Sequence, residues 1–69
     1  MNKQEIIQAV NEGKNVFCGN TAYKVIKDNK GQFMIEYLNG KHYIGLHGLE
    51  GTQYENVLNA DENDFFIQD

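Results

Sequence analysis

The sequence predicts an α+β domain in which one N-terminal helix packs on an antiparallel sheet of about four strands, connected as a β-meander. Three observations predict this fold: a capped amphipathic segment near the N-terminus, two motifs typical of hairpin turns, and an alternation of apolar residues on which both hairpins agree. A chain of 69 residues is long enough for one domain, and residues 1–69 are therefore assigned to a single unit.

The predicted helix covers residues 3–12. Asn2 is a favourable N-cap residue, and Glu5 stands three residues later, which is a variant of the capping box. Gly13 suits the position just after the helix, where a left-handed backbone is common. Four apolar residues form one narrow face of this segment: Ile6, Ile7, Ala9 and Val10. A helix this short is marginal alone, so we expect that face to pack on the sheet.

Turn motifs separate the predicted strands. Asp28-Asn29-Lys30-Gly31 fits a type I turn that ends in a left-handed glycine, and Asn39-Gly40 is the strongest signal for a two-residue hairpin. The predicted strands are residues 15–18, 22–27, 32–38 and 41–46. Each turn also fixes which residues face each other across its hairpin.

The two turns predict registers that can be compared. The first turn pairs Val25 with Ile35 and sets Lys24 opposite Glu36 as a cross-strand charge pair. The second turn pairs Ile35 with Ile44. Both registers place the same set of residues on one face, which is the predicted core face: Tyr23, Val25, Phe33, Ile35, Tyr37, His42, Ile44 and Leu46.

The opposite face of the predicted sheet carries more large apolar residues than a face left in water. These residues are Ile26, Met34, Leu38 and Tyr43. Because one short helix cannot cover both faces, we expect this face to be a protein interface, either with a second copy or with a different protein. The alternative is that Phe65-Phe66-Ile67 folds back over it and makes a second small core.

The C-terminal part of the chain is acidic. Residues 42–69 hold six acids and no Lys, a net charge of −6, whereas residues 1–41 have a net charge of +2. Within the acidic segment 50–69, three acids are predicted to contribute to binding a basic protein surface: Asp61, Glu62 and Asp64. The alternative is a solvated acidic rim that keeps the protein in solution.

The structure that follows residue 46 is less defined by the sequence. Glycines at 45, 48 and 51 indicate a flexible or tightly turned loop, and residues 52–58 are ambiguous, because Tyr54, Val57 and Leu58 also fit one helical turn. Residues 65–67 are apolar and are predicted to pack as an edge strand or as a plug.

The composition excludes several catalytic chemistries. The chain has no Ser and no Arg, which removes serine nucleophiles, arginine fingers and bidentate phosphate clamps. Its one Cys rules out an internal disulfide. Cys18, His42 and His47 could ligate a metal, but no two of them lie within four residues of each other. We therefore expect no metal site, no cofactor and no catalytic residue.

Nucleic-acid binding is considered because basic and aromatic residues alternate along two predicted strands. The residues concerned are Tyr23, Lys24, Lys27, Lys30, Lys41 and Tyr43. The net charge of −4 and the lack of Arg argue against this function, which is kept as an alternative.

No targeting segment is predicted. The first five residues lead into only two adjacent apolar residues, Ile6 and Ile7, whereas a secretory signal has an apolar run of about 7–15 residues. No stretch of about 18 apolar residues is present. We therefore expect a cytoplasmic protein that has no membrane partner.

Three stretches of the chain together resemble a group of small proteins from phages and prophages, most of them uncharacterised. The stretches are residues 23–28 with 31–33, residues 39–40 with 43–46, and residues 64–66. The resemblance spans roughly residues 5–67 and implies a phage-encoded accessory protein, a class that includes inhibitors of host defence such as anti-CRISPR proteins. It assigns no functional residue.

The expected function is protein binding without catalysis, with a host protein as the partner. Two alternatives from other classes stay open: a structural or assembly protein that forms a homo-oligomer such as a dimer, and a weak nucleic-acid binder.

Overall fold

The computed structural model describes residues 1–68 and has the predicted α+β fold, with one helix packed on an antiparallel sheet. The elements in chain order are α1 (Lys3–Asn11), β1 (Val16–Cys18), β2 (Asn20–Lys27), β3 (Phe33–Tyr37), β4 (His42–Gly45), a 3₁₀ helix (Glu62–Asp64) and β5 (Phe65–Ile67). The strand order is β4-β3-β2-β1-β5, so the predicted meander is present and β5 adds a fifth strand beside β1. Asp69, the last residue of the predicted acidic segment, lies outside the described residues.

Local hydrogen bonds fix both ends of α1. The Asn2 side chain accepts from the Glu5 amide, and the Glu5 carboxylate accepts from the Asn2 amide, so the predicted capping box is present. At the other end Gly13 has a φ of +84°, and the amides of Gly13 and Lys14 donate to Val10 and Ala9. This Schellman motif ends the helix at Asn11, one residue before the predicted end.

The hairpin of β2 and β3 has the predicted register. Val25 pairs with Ile35, and Lys24 stands opposite Glu36. The Asp28 carboxylate accepts from the amides of Lys30 and Gln32, which holds the three-residue turn closed. Although Lys24 and Glu36 are directly opposite, no ion pair within 4.0 Å joins their side chains, and the predicted charge pair is therefore a register neighbour rather than a salt bridge.

The hairpin of β3 and β4 also has the predicted register, because Ile35 pairs with Ile44. Asn39 and Gly40 have positive φ angles of 56° and 83°, as their turn requires. Leu38 differs from the prediction, because its φ is 54° and it lies in the turn instead of the strand. β3 consequently ends at Tyr37, one residue earlier than expected.

β5 pairs with β1 in the plane of the sheet. Phe66 stands opposite Phe17, and Phe65 stands opposite Cys18. The Phe65 side chain enters the core and is 4% exposed. The prediction of an edge strand is therefore confirmed, whereas the alternative that this segment covers the opposite face of the sheet is wrong.

The chain after β4 forms an extension, residues 46–59, which we name the arm. The Asn59 amide donates to Leu46 and the Gly48 amide to Val57, so the two sides of the arm run antiparallel. An isolated bridge joins His47 and Leu58. Between these sides the chain makes a series of turns, so the helical alternative for residues 52–58 is wrong.

The core lies between α1 and one face of the sheet, which we name the helix side. Its buried members are Ile6, Ala9, Val16, Val25, Ile35, Leu46 and Phe65. Leu58 and Ala60 pack against the same cluster, so the arm and the residue that follows it complete the cover. The predicted core face is only half buried, because Tyr23 and Ile44 on it are 40% and 42% exposed and His42 is exposed too.

Candidate interaction surfaces

The face of the sheet opposite α1, which we name the outer face, carries a continuous row of side chains across all five strands. The paired residues are Phe66, Phe17, Lys24, Glu36 and Tyr43, in strand order from β5 to β4. A second row beside it holds Ile26, Met34 and Gly45. The Phe17 and Phe66 rings are 5.8 Å apart between centroids. None of these side chains belongs to the core or packs against it.

The structure brings three of the four predicted apolar interface residues together. Ile26 and Met34 are Cα partners on neighbouring strands, and Tyr43 lies on the next strand. Tyr43 is 49% exposed, while Ile26 and Met34 are partly exposed. Leu38 is 58% exposed but lies in the turn, because its left-handed backbone interrupts the alternation that would place it on this face.

The three predicted acids lie elsewhere, just before β5. Asp61 caps the 3₁₀ helix through its side chain, which accepts from the Asn63 amide, and Glu62 and Asp64 belong to that helix. All three are exposed. Because β5 and β4 are the two opposite edges of the sheet, these acids do not form one surface with Tyr43.

The sequence prediction missed a second apolar surface, on the helix side. The Tyr37 ring stacks on the His42 ring with centroids 5.4 Å apart, and the Tyr23 ring lies 5.6 Å from the Tyr37 ring at a tilt of 31°. Ile44 lies beside them on β4. We name these four residues the aromatic patch. The length of the helix is the signal for this uncovered surface. A helix of nine residues extends only about 14 Å, whereas five strands span about 24 Å, so the helix covers only part of the sheet.

Polar side chains meet where α1 contacts the arm. The Lys3 ammonium donates to the Glu55 carbonyl and the Asn56 side chain at 2.9 and 3.2 Å, and it lies 3.6 Å from Glu50. His47 Nδ1 donates to the Gly48 carbonyl, and His47 Nε2 lies 3.7 Å from the Glu50 carboxylate. The cavity beside these groups has a volume of about 390 Å³. Because Lys3 is fully engaged, the cluster holds the arm against the helix.

Cys18 is partly buried, and its environment disfavours the thiolate. Burial raises the pKa of the Cys18 thiol above its ordinary value, and the nearby Asp64 carboxylate raises it further. A thiol nucleophile needs the opposite shift, so this environment suits a small apolar residue at the core boundary. Within residues 1–68, no group of three or more His, Cys, Asp or Glu side chains is placed to hold a metal ion.

The basic and aromatic residues considered for nucleic-acid binding do not form one groove. Tyr23 belongs to the aromatic patch on the helix side, whereas Tyr43 lies on the outer face. Lys27 is engaged locally, with its ammonium 5.6 Å from the centroid of the Phe33 ring and 3.4 Å from the Asn11 side chain.

Comparison with known proteins finds no matching protein-family model, no matching curated protein and no matching solved structure. Among residues 1–68, no helix has the length and apolar character needed to cross a membrane.

Proposed function

We propose that this chain is a non-catalytic accessory protein, encoded by a phage or prophage, that binds a protein of the host cell in its cytoplasm. The observation that carries the proposal is the aromatic patch. Two tyrosine rings and a histidine ring lie against one another on neighbouring strands, and Tyr23, His42 and Ile44 are exposed on the side of the sheet that also holds the core. The resemblance to phage proteins supports the origin and suggests a component of a defence system as the partner.

The chemistry of the patch favours a protein partner. Tyrosine is enriched at protein interfaces, because its ring contributes a large contact area and fixes only two side-chain torsions. Central aromatic residues of this kind often dominate the binding energy. The neighbouring Ile44 side chain, 42% exposed, adds apolar area at the rim of the stack.

The state of Cys18 supports the non-catalytic part of the proposal. This thiol is the strongest nucleophile in a chain that lacks Ser, and its pKa is shifted away from the reactive thiolate.

The proposal is tested by affinity capture from host lysate, followed by calorimetric titration of the captured and purified protein. Tyr37→Ala is the informative variant, because the Tyr37 ring lies between the rings of Tyr23 and His42. We expect it to weaken binding at least about tenfold, which corresponds to roughly 1.4 kcal/mol. Met34→Lys on the outer face is the matched control and should bind as the parent chain does, with circular dichroism showing that both variants are folded.

Two outcomes contradict the proposal. One is that no captured protein distinguishes the parent chain from the Tyr37→Ala variant. The other is that the captured material is single-stranded nucleic acid stacked on the patch, which a nuclease-treated control reveals.

The acidic segment is tested separately with a triple variant, Asp61→Asn, Glu62→Gln and Asp64→Asn. The Asn side chain keeps the oxygen that accepts from the Asn63 amide, so the 3₁₀ helix is retained. If the partner is basic, we expect slower association and a weaker dependence of the rate on salt. An unchanged rate and salt dependence would show that the acids act only as a solvated rim.

A further inference from the structure

The outer face is self-complementary, and this property does not depend on the function proposed above. In the row that crosses all five strands, only two residues carry charge, and they have opposite signs. Lys24 lies on β2 and Glu36 lies on β3, directly across from it. An apolar residue flanks the pair on each side, Phe17 on β1 and Tyr43 on β4.

We propose that the outer face is an interface between two copies of this chain that are related by a twofold axis. The axis lies above the outer face, parallel to the strands and midway between β2 and β3. Such an axis exchanges β2 with β3 and β1 with β4. In the dimer, Lys24 of each copy therefore lies over Glu36 of the other copy, so this contact occurs twice. The twofold operation matches the Lys24–Glu36 pair of this row with itself.

The same operation matches the apolar residues. Ile26 and Met34 are partners on β2 and β3, so Ile26 of one copy meets Met34 of the second copy. Phe17 meets Tyr43 of the second copy by the same exchange of β1 with β4. Two sheets that face each other in this way pack about 10 Å apart, a distance that the side chains of Lys and Glu together can span.

Charge complementarity selects a second copy over another occupant. Lys24 and Glu36 make no ion pair with each other within 4.0 Å, so both ends are available to groups across the interface. An open face that holds Phe17, Ile26, Met34 and Tyr43 around a central pair of opposite charges therefore suits a second copy of the same face.

The size of the face sets the expected strength. The four strands that this axis superposes, β1 to β4, span about 19 Å, and a five-residue strand extends about 17 Å, so the shared face covers roughly 320 Å². Standard interfaces bury about 800 Å² of accessible surface per partner. We therefore expect a weak dimer that forms in the micromolar range and dissociates on dilution.

The test is charge reversal measured by analytical ultracentrifugation between roughly 1 μM and 1 mM, the range of a weak complex. The parent chain should dimerise. Lys24→Glu alone and Glu36→Lys alone should each weaken the dimer at least tenfold, because like charges then meet across the interface. An equimolar mixture of the two variants should form a heterodimer, because one face is then wholly acidic and the other wholly basic.

The mixture distinguishes the loss of an interface from a folding defect, because two misfolded variants would not form a heterodimer when they are mixed. Circular dichroism of each variant should match that of the parent chain. Ile44→Ala on the helix side is the matched control and should leave the dimer intact. The proposal is overturned if the parent chain is monomeric throughout this range, if either single variant dimerises like the parent chain, or if the mixture stays monomeric.

This experiment is independent of the host partner. Loss of the dimer with retained binding through the aromatic patch would contradict only the interface proposed here, and the reverse result would contradict only the proposed function.

Discussion

Val25 and Tyr23 stand two residues apart on β2 and point to the same side of the sheet, yet Val25 is 2% exposed and Tyr23 is 40% exposed. Ile35 and Ile44 are direct partners on β3 and β4, and their exposed fractions are 2% and 42%. The helix side therefore has a covered half and an open half that share strands, register and residue type.

The difference between the two halves comes from what lies above the sheet. α1 has nine residues, and its buried side chains, Ile6 and Ala9, together with Leu58 from the arm, reach only part of the sheet. The alternation of residues along a strand determines on which face of the sheet a side chain lies. The helix and the arm above that face determine whether the side chain is buried. The same pattern of sequence can therefore make a core in one half and a binding surface in the other.

The largest expected effect is removal of the cover. Ile6→Ala combined with Val10→Ala deletes two apolar groups of α1, each worth roughly 1.5–3 kcal/mol when buried. A domain of this size has a free energy of unfolding of about 5 kcal/mol, so the double variant should be largely unfolded by circular dichroism. A well-folded double variant would show that the sheet does not need the helix.

The next effect compares the two halves directly. Ile35→Ala should lower the free energy of unfolding by about 2–5 kcal/mol, because it leaves a cavity in the covered half. Ile44→Ala removes the same atoms from the open half and should cost less than about 1 kcal/mol. Urea denaturation of both variants measures the difference. Equal losses would mean that another part of the molecule covers the open half in solution.

A smaller effect is expected in the arm, which completes the cover. A Cβ added at Gly48 would clash with the Tyr54 carbonyl oxygen, a backbone atom that cannot turn away. Gly48→Ala should therefore open the arm and cost about 2 kcal/mol. Gly45→Ala is the control, since its nearest contact would be an ordinary 3.5 Å. Similar melting temperatures for the two variants would contradict the close contact in the arm.

The smallest effect concerns Cys18 at the boundary of the core. Burial and Asp64 raise the pKa of this thiol, so the folded state keeps the proton at a pH where the unfolded state has lost it. The resulting stabilisation is complete below the ordinary thiol pKa and is lost as the pH rises through the raised pKa. Compared with Cys18→Ala, the parent chain should therefore lose stability as the pH rises above the ordinary thiol value.

The pKa of Cys18 can also be obtained from the rate at which iodoacetamide alkylates the thiol, measured as a function of pH. The reaction should reach half its maximal rate at a higher pH than that of an unburied thiol. Asp64→Asn should lower this midpoint only partly, because burial is the larger cause of the shift. A midpoint at the ordinary value would mean that the thiol is exposed in solution.

The features that could be predicted from the sequence are local ones. Asn2, Glu5 and Gly13 determine the ends of α1 through hydrogen bonds to residues a few positions away, so the sequence predicts both ends to within one residue. Asp28 and the Asn39-Gly40 pair likewise set both hairpin registers, because a turn fixes the pairing of the strands that it joins.

The features that could not be predicted depend on contacts between distant parts of the chain. No local signal shows that Phe66 pairs with Phe17 instead of covering Met34. The arm is held by the Lys3 side chain, which is fifty-two positions from Glu55. The open half of the helix side, and with it the aromatic patch, follows from where α1 comes to lie, and alternation within the strands has no information about that position.

The pairing of β5 with β1 has a consequence for synthesis of the chain. β1 is complete at Cys18, but its neighbour on one side is made only when Phe65 and Phe66 have left the ribosome. Until then the nascent meander presents the backbone of β1 as a free sheet edge, next to a core that lacks Phe65. Free edges of this kind pair readily with other chains. Pairing of β5 therefore covers this free edge of β1 at the same time as Phe65 completes the core.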